Sequence, residues 1–212
     1  MSEECGIYPV NLYTSGREWM TESYEQISEF IRHNFAPNSI ADIGCGIGVF
    51  LSMMGIEDYI GVDAPDVPRG ELLIPESKFI AADMRESFPA LGKSFDLATC
   101  FEVAEHLPES RADALVDYLC GLSDIVGFSA AIPGQCGAGH INEQWQSWWA
   151  GKFIKRNYVT HDVRPRLWDN RAIKYWYRQN MIFYIRCDNP LILGEKTPML
   201  DLVHPEMWLM KR

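Results

Sequence analysis

Apolar residues Tyr24, Ile27, Phe30 and Ile31 recur at helical spacing and predict a helix over about 20–35 that stops near Pro37. The runs that follow are shorter and apolar on both faces: "SIADIG" (39–44), "YIGVD" (59–63), "FIAAD" (79–83), "FDLATCF" (95–101) and "IVGFSAAI" (125–132). Such runs fit parallel strands covered by helices above and below. Helical patterns separate several of them: "VFLSMM" from 49, "PESRADALVDYLCGLSD" (108–124) with its proline in the opening turn, and "NEQWQSWWAGKFIKRN" (142–157). The chain then reads as a strand "YVTHDV", a helical or irregular stretch over 167–180, and a strand "MIFYIRC" (181–187). Strand alternating with helix predicts an α/β, three-layer, doubly wound sheet. Its ligands bind at the carboxyl ends of the strands, where the strand order reverses. No repeat or linker divides the 212 residues, so a single domain over 1–212 is expected. Residues 1–19, with Tyr8, Tyr13, Arg17 and Trp19, are a candidate lid or else a loosely packed terminus. Residues 136–180 are candidate acceptor-side elements.

Charge narrows the set of partners. A net charge of −10 argues against affinity for nucleic acid or an anionic membrane. One band departs from that average: nine Lys/Arg against two Asp lie between Gly151 and Arg186, interleaved with Tyr158, Trp168, Tyr175, Trp176 and Tyr177. It reads either as a solvated face whose long stems cover the core or as a site for an anionic acceptor. Six cysteines form no CxxC pair and none sits at zinc-finger spacing with a histidine, so reduced thiols and a cytoplasmic location are expected. Neither a signal-peptide pattern nor a run of about 20 apolar residues is seen.

"ADIGCGIGVF" (41–50) places glycine at 44, 46 and 48 directly after the first strand, and Asp63 ends the second strand nineteen positions after Gly44. A carboxylate there can take ribose hydroxyls while backbone underlies the rest of a nucleoside cofactor. The nicotinamide fingerprint G-x-G-x-x-G/A is not met, because the glycines read G-x-G-x-G with Val49 at the third place. Asp83, ending the third strand, suits an adenine amino group.

Taken in order, "ADIGCGIG", "YIGVDA", "FIAADM" and "FDLATCFEVAEHLPE" resemble the successive motifs of class I S-adenosylmethionine-dependent methyltransferases over about 39–135. The resemblance implies a Rossmann-like seven-stranded sheet, mostly parallel with one antiparallel strand, which "MIFYIRC" would supply. "IPGQCGAGHINEQW", "RPRLWDN" and "YWYRQN" are more loosely similar to a bacterial subgroup linked to carbohydrate and secondary-metabolite methylation. S-adenosyl-L-methionine is then the implied cofactor. By the same resemblance, Gly44, Cys45 and Gly46 approach its methionine portion and ribose, Asp42 holds the loop, and Asp63 with Ala64 takes the ribose. Asp83 and Met84 flank adenine, and Cys100, Phe101 and Glu102 lie near the methyl group. Each has a plainer alternative: Cys45 as a small buried residue, Asp83 as the cap of a turn.

Methyl transfer from a sulfonium is largely a matter of alignment, helped by proton removal when the acceptor is a hydroxyl. His140, His106 and Glu143 are the candidate catalytic residues, with His140 preferred as base. Their alternatives are a loop histidine, a helix-start histidine bonded to backbone, and a first-turn carboxylate. Trp145, Trp148 and Trp149 share one helical face, for core packing or for stacking on a sugar. No spacing of metal ligands stands out, and no metal is expected. The expected activity is methylation of a hydroxyl, less readily an amine, on a small polar, sometimes anionic, metabolite such as a sugar or nucleotide sugar. A binding module without turnover, a nucleic-acid or protein methyltransferase, and, more distantly, an NAD-dependent oxidoreductase are the alternatives.

Overall fold

The computed structural model describes residues 11–191 and 201–210, with side chains from Met20 to Leu191 and from Asp201 to Leu209. Helix α1 (Asn11–Asn34) leads into strand β1 (Ser39–Ile43), the short helix α2 (Val49–Met53) and strand β2 (Asp58–Asp63). Strands β3 (Phe79–Ala81) and β4 (Leu97–Phe101) follow, then α3 (Ala112–Leu122), β5 (Ile125–Ser129), α4 (Gln146–Ile154) and β6 (Tyr158–His161). Helices α5 (Arg164–Leu167) and α6 (Tyr175–Asn180), strand β7 (Ile182–Arg186) and helix α7 (Pro205–Met210) complete the order.

The seven strands form one sheet in the order β3-β2-β1-β4-β5-β7-β6, and β7 runs antiparallel to both its neighbours. Each expected strand forms, and the expected antiparallel strand is the one that was read as such. The order reverses between β1 and β4, because the chain leaves β1 toward β2 on one side and returns through β4 on the other. A crevice opens at the carboxyl ends of the strands at such a point.

Burial explains why the central strands are apolar on both faces: β1, β4 and β5 are buried at every position. Alternate residues of β7 point into different layers. Ile182 and Tyr184 pack with α3 and α4, whereas Phe183 and Ile185 pack with α1, α2 and α6. Burying one such side chain contributes about 1.5–3 kcal/mol, which fixes the register of the strand.

The first helix starts earlier than its apolar stripe predicts, at Asn11 rather than near 20. The candidate lid therefore falls partly on the opening turns of α1 and partly on residues 1–10, outside the described residues. Among the described residues, no helix is long and apolar enough to cross a membrane.

Candidate active site

The turn after β1 is held by its own amides. Gly44 and Cys45 both donate to the Val62 carbonyl, at 2.7 and 3.2 Å, and Gly48 donates to the Cys45 carbonyl at 2.9 Å. The Gly46 amide donates to Asp63 Oδ2 at 2.5 Å, and the other oxygen of Asp63 accepts from the Ala64 amide at 2.6 Å. A pyrophosphate needs just such amides for itself. With these N–H groups spent, the turn offers carbonyl oxygen and carboxylate, a surrounding suited to a cation. That fits the sulfonium and ammonium groups of S-adenosylmethionine and not the phosphates of a dinucleotide.

Two of the glycines are required by space as well as by conformation. Gly44 has φ +85°, and a Cβ built on it would lie 2.1 Å from Cγ2 of Val103, just beyond β4. Gly48, at φ +83°, faces Ile74 in the same way. The loops after β1 and β4 therefore meet with no room for a side chain between them. Cys45 is buried against Gly61, its thiol pushed well up by burial, as expected of a small core residue.

The acids here lie deep. Asp42 is buried beside Thr99 of β4, whose hydroxyl donates to it at 2.7 Å, and burial lifts its carboxyl to about 7. Burial likewise lifts Asp63 to about 6, against the two amides that stabilise its charge. Asp83 behaves differently. It sits in the open in a two-pronged grip from Arg85, at 2.7–3.2 Å, and accepts the Arg85 amide, so Arg85 holds its carboxyl below the usual range. This is the turn cap anticipated as its plainer role. Met84 and Phe101 are nearly buried, each in one of the two core clusters, and Phe101 packs edge-on to Phe50.

Glu102 ends β4 in a left-handed conformation, φ +54°, which a non-glycine residue adopts at a cost of order 1–3 kcal/mol. Its carboxylate is held by buried amides: Gln135 Nε2 donates to it at 3.1 Å and Asn180 Nδ2 at 3.2 Å, and Gln179 joins the same network through Gln135. Burial raises its pKa. Glu105, one turn on, is fully buried, with the Ala131 backbone and the Glu102 side chain beside its carboxyl group. Burial, and then Glu102, raise its pKa strongly.

The loop after β5 is stitched to this turn, for the amides of Ile141 and Asn142 both donate to the Glu105 carbonyl, at 2.8 and 3.0 Å. That stitch brings His140 onto His106, with ring centroids 4.9 Å apart. His140 Nδ1 lies 2.9 Å from Glu143 Oε1, and Glu143 is itself fixed by the amides of Gly134 and Cys136 at 2.6 and 2.7 Å. Glu143 precedes α4 and is thus a loop carboxylate that orients an imidazole, not a first-turn helix residue. His106 bonds the Gly139 backbone, and burial lowers it to about 4, keeping it neutral.

All three candidate catalytic residues are therefore assembled in one place. The expectation of no metal-ligand grouping meets a different geometry: ligand atoms of Glu105, His106 and His140 lie within 4.8 Å of one another. The third ligand comes from a loop 34 residues on, a distance that no spacing motif covers. Glu105, Gln135, Gln179 and Asn180 went unread because buried amides and acids carry no periodic signal. Tyr24 was read only as part of an apolar stripe, yet its hydroxyl bonds Tyr177 at 2.8 Å and feels Asp42, Glu102 and Asp63.

Five of the nine cations in the band at 151–186 pair with acids. Lys152 and Arg156 pair with Asp113 and Asp117 of α3, Arg178 pairs with Glu206, and Arg186 pairs with Asp124. Arg164 is fully buried against Asp162, and Arg166 reaches Asn34 at 2.7 Å. Of the tryptophans, Trp149 is core, packed on Phe128, while Trp148 lies under Lys152.

Residues 17–120 match the profile of a family described as "Methyltransferase domain". A ubiquinone biosynthesis O-methyltransferase of Pseudomonas syringae pv. tomato is 27% identical over 89 residues; the match spans 37% of this chain and 37% of that relative. The sugar N-methyltransferase KedS8 from a Streptoalloteichus species superposes with a TM-score of 0.62 at 13% identity, over 88% of this chain and 95% of that one. Magnesium protoporphyrin IX methyltransferase (ChlM) of Synechocystis, with bound S-adenosylmethionine, gives a TM-score of 0.56 at 18% identity, over 85% and 86%. Residues 17–120 thus carry the signature of a methyltransferase domain, and the seven-stranded topology is the fold of the methyltransferases it superposes on.

Proposed function

We propose that this protein methylates a hydroxyl group, less readily an amine, of a small polar metabolite such as a sugar or nucleotide sugar. The observation that carries this reading is the recessed cluster of Glu102, Glu105, His106 and the oriented His140, placed where the loops after β4 and β5 meet beside the glycine turn. The cofactor supplies an electrophilic methyl on positive sulfur. The imidazole side of the cluster would take the proton that the acceptor hydroxyl gives up to the transfer.

Enclosure favours a small acceptor. His140 and Glu143 are only 12% and 18% exposed at their side chains, and Glu105 is fully buried. A nucleic-acid strand would need a cationic track, and five of the nine cations of 151–186 are paired with acids instead. A module that only binds cofactor has no use for the strained backbone at Glu102. The oxygen-directed and sugar-directed names among the relatives support the same choice.

The test is release of S-adenosylhomocysteine from purified protein given S-adenosylmethionine and, in turn, sugars, nucleotide sugars, phenols, amino sugars, a short RNA and a protein lysate. Release with a small hydroxylated acceptor is expected. Release with RNA or protein alone, or with nothing, overturns the reading.

A further inference from the structure

We infer that Gln135, Gln179 and Asn180 are positioning residues for methyl transfer: they form an amide relay that aims the Glu102 carboxylate and makes the segment 201–204 part of the active site. The inference rests on the hydroxyl-methylation reading and adds the groups that hold its reacting cluster in place.

The relay runs in one direction. The His204 backbone N–H donates to Gln179 Oε1 at 2.7 Å, and Gln179 Nε2 donates to Gln135 Oε1 and to Asn180 Oδ1, both at 3.0 Å. Asn180 Nδ2 donates to Gln135 Oε1 at 2.9 Å and to Glu102 Oε1 at 3.2 Å, while Gln135 Nε2 donates to Glu102 Oε2 at 3.1 Å. Each oxygen faces donors and each nitrogen faces acceptors, so no amide can turn over without setting like against like. The two ends fix this sense, because a backbone N–H can only donate and an ionised carboxylate can only accept.

Packing alone does not account for these groups. Gln179 is fully buried and Asn180 is 2% exposed, where apolar side chains of the same size would avoid the desolvation of two amides. What the amides converge on is Glu102, whose backbone is held at φ +54° and whose carboxylate borders Glu105 and feels His140. A carboxylate on a strained turn keeps one aim only where its surroundings over-determine it. The far end of the relay is anchored too. Gln146 exchanges bonds with the Leu202 main chain at 2.9 and 3.3 Å, and it also donates to the Gln179 carbonyl at 3.3 Å. Segment 201–204 thus reaches the end of β4 through three side chains.

The experiment uses the full chain, isotope-labelled for NMR, and two variants that keep side-chain volume, E102Q and Q179M. Amide hydrogen exchange at His204 reads the far end of the relay. Release of S-adenosylhomocysteine, with a small hydroxylated acceptor, reads the near end. In E102Q an NH2 replaces one carboxylate oxygen and opposes a donor; relieving that conflict turns the amides over in sequence until a Gln179 NH2 opposes the His204 N–H. Exchange at His204 is expected to rise roughly fivefold or more, the effect of losing one buried hydrogen bond. Q179M should show the same rise directly. Its kcat should fall about tenfold or more, with acceptor KM changed less and the Kd for S-adenosylhomocysteine unchanged, because alignment is disturbed and the cofactor turn is not. A group that merely anchored segment 201–204 would lower Tm and leave kcat alone. His204 exchange in E102Q equal to that of the wild type, or a wild-type kcat in Q179M, overturns the relay while the methylation reading stands. Faster exchange in both variants, together with a wild type that turns over no small acceptor, supports the coupling and strikes instead at the methylation reading.

Discussion

Gly44 shows how one missing Cβ serves both fold and function. Its φ of +85° is strained for any L side chain, and Val103 occupies the space such a side chain would need. Gly44→Ala should cost about 2–4 kcal/mol in chemical denaturation. Adding Val103→Ala should recover only part of that, because the clash goes and the φ penalty stays. Asp42 and Asp63 make a second residue-scale prediction. Both are raised from an ordinary value near 3.8, to about 7 and about 6, so the folded state keeps protons that the unfolded chain releases. Their contribution to stability is therefore complete below pH 4 and is lost as pH rises through 6–7. A cationic cofactor has the opposite preference, since it favours the ionised carboxyls. Calorimetry should show S-adenosylmethionine binding roughly tenfold tighter at pH 7.5 than at pH 5.5, while the melting temperature of the apoprotein carries a contribution that falls over the same interval. Asp63 was legible in the sequence because a strand end after a glycine turn is a fixed address. The amides gripping Glu102 were not, because Gln135, Gln179 and Asn180 meet it only after β4, β5 and α6 have been placed.

At the scale of elements, runs of five to eight residues located all seven strands, most plainly β1, β4 and β5, where burial at every position leaves no freedom in composition. Helix ends were less legible. Helix α1 extends back to Asn11 and α4 begins only at Gln146, since what sets these ends is tertiary. The start of α4 is capped from far along the chain, for Asp201 accepts from the Ser147 amide at 2.8 Å and from its hydroxyl at 2.7 Å. The partners of the basic band were illegible for a related reason: local charge density does not reveal which acidic helix will face it. Arg178 is the member that matters most to the fold. It is nearly buried and bonds the Trp168 carbonyl, His204 and Glu206, tying α7 to α6. Arg178→Ala should destabilise by about 2–4 kcal/mol, because it strips a buried network of its cation, and should open residues 201–210 to limited proteolysis. Arg166→Ala, which removes an exposed bond to Asn34, should change stability by less than about 0.5 kcal/mol and leave acceptor KM unchanged. A rise in that KM would restore the band as an acceptor site.

For the whole molecule, the distribution of charge decides which nucleoside cofactor is welcome. The chain carries −10 overall, and Asp42, Asp63, Glu102 and Glu105 gather where the sheet reverses order. Four of the nearby turn amides, those of Gly44, Cys45, Gly46 and Gly48, donate within the fold rather than toward a phosphate. An anionic dinucleotide would thus meet a crevice rich in acids, whereas a sulfonium nucleoside brings a positive charge that favours their ionised forms. The consequence is measurable without knowing the acceptor. Saturating S-adenosylmethionine, at 100 times its Kd, should add about 2.7 kcal/mol to the stability, which for a chain of 212 residues is a rise in melting temperature of about 5–10 °C. NAD at the same concentration should add nothing measurable. The demethylated product, which keeps the nucleoside and ammonium but loses the sulfonium charge, should still stabilise, with a weaker dependence on salt because one attraction of the donor is gone. A shift with NAD equal to that with the methyl donor would mean that the glycine turn can expose its amides after all.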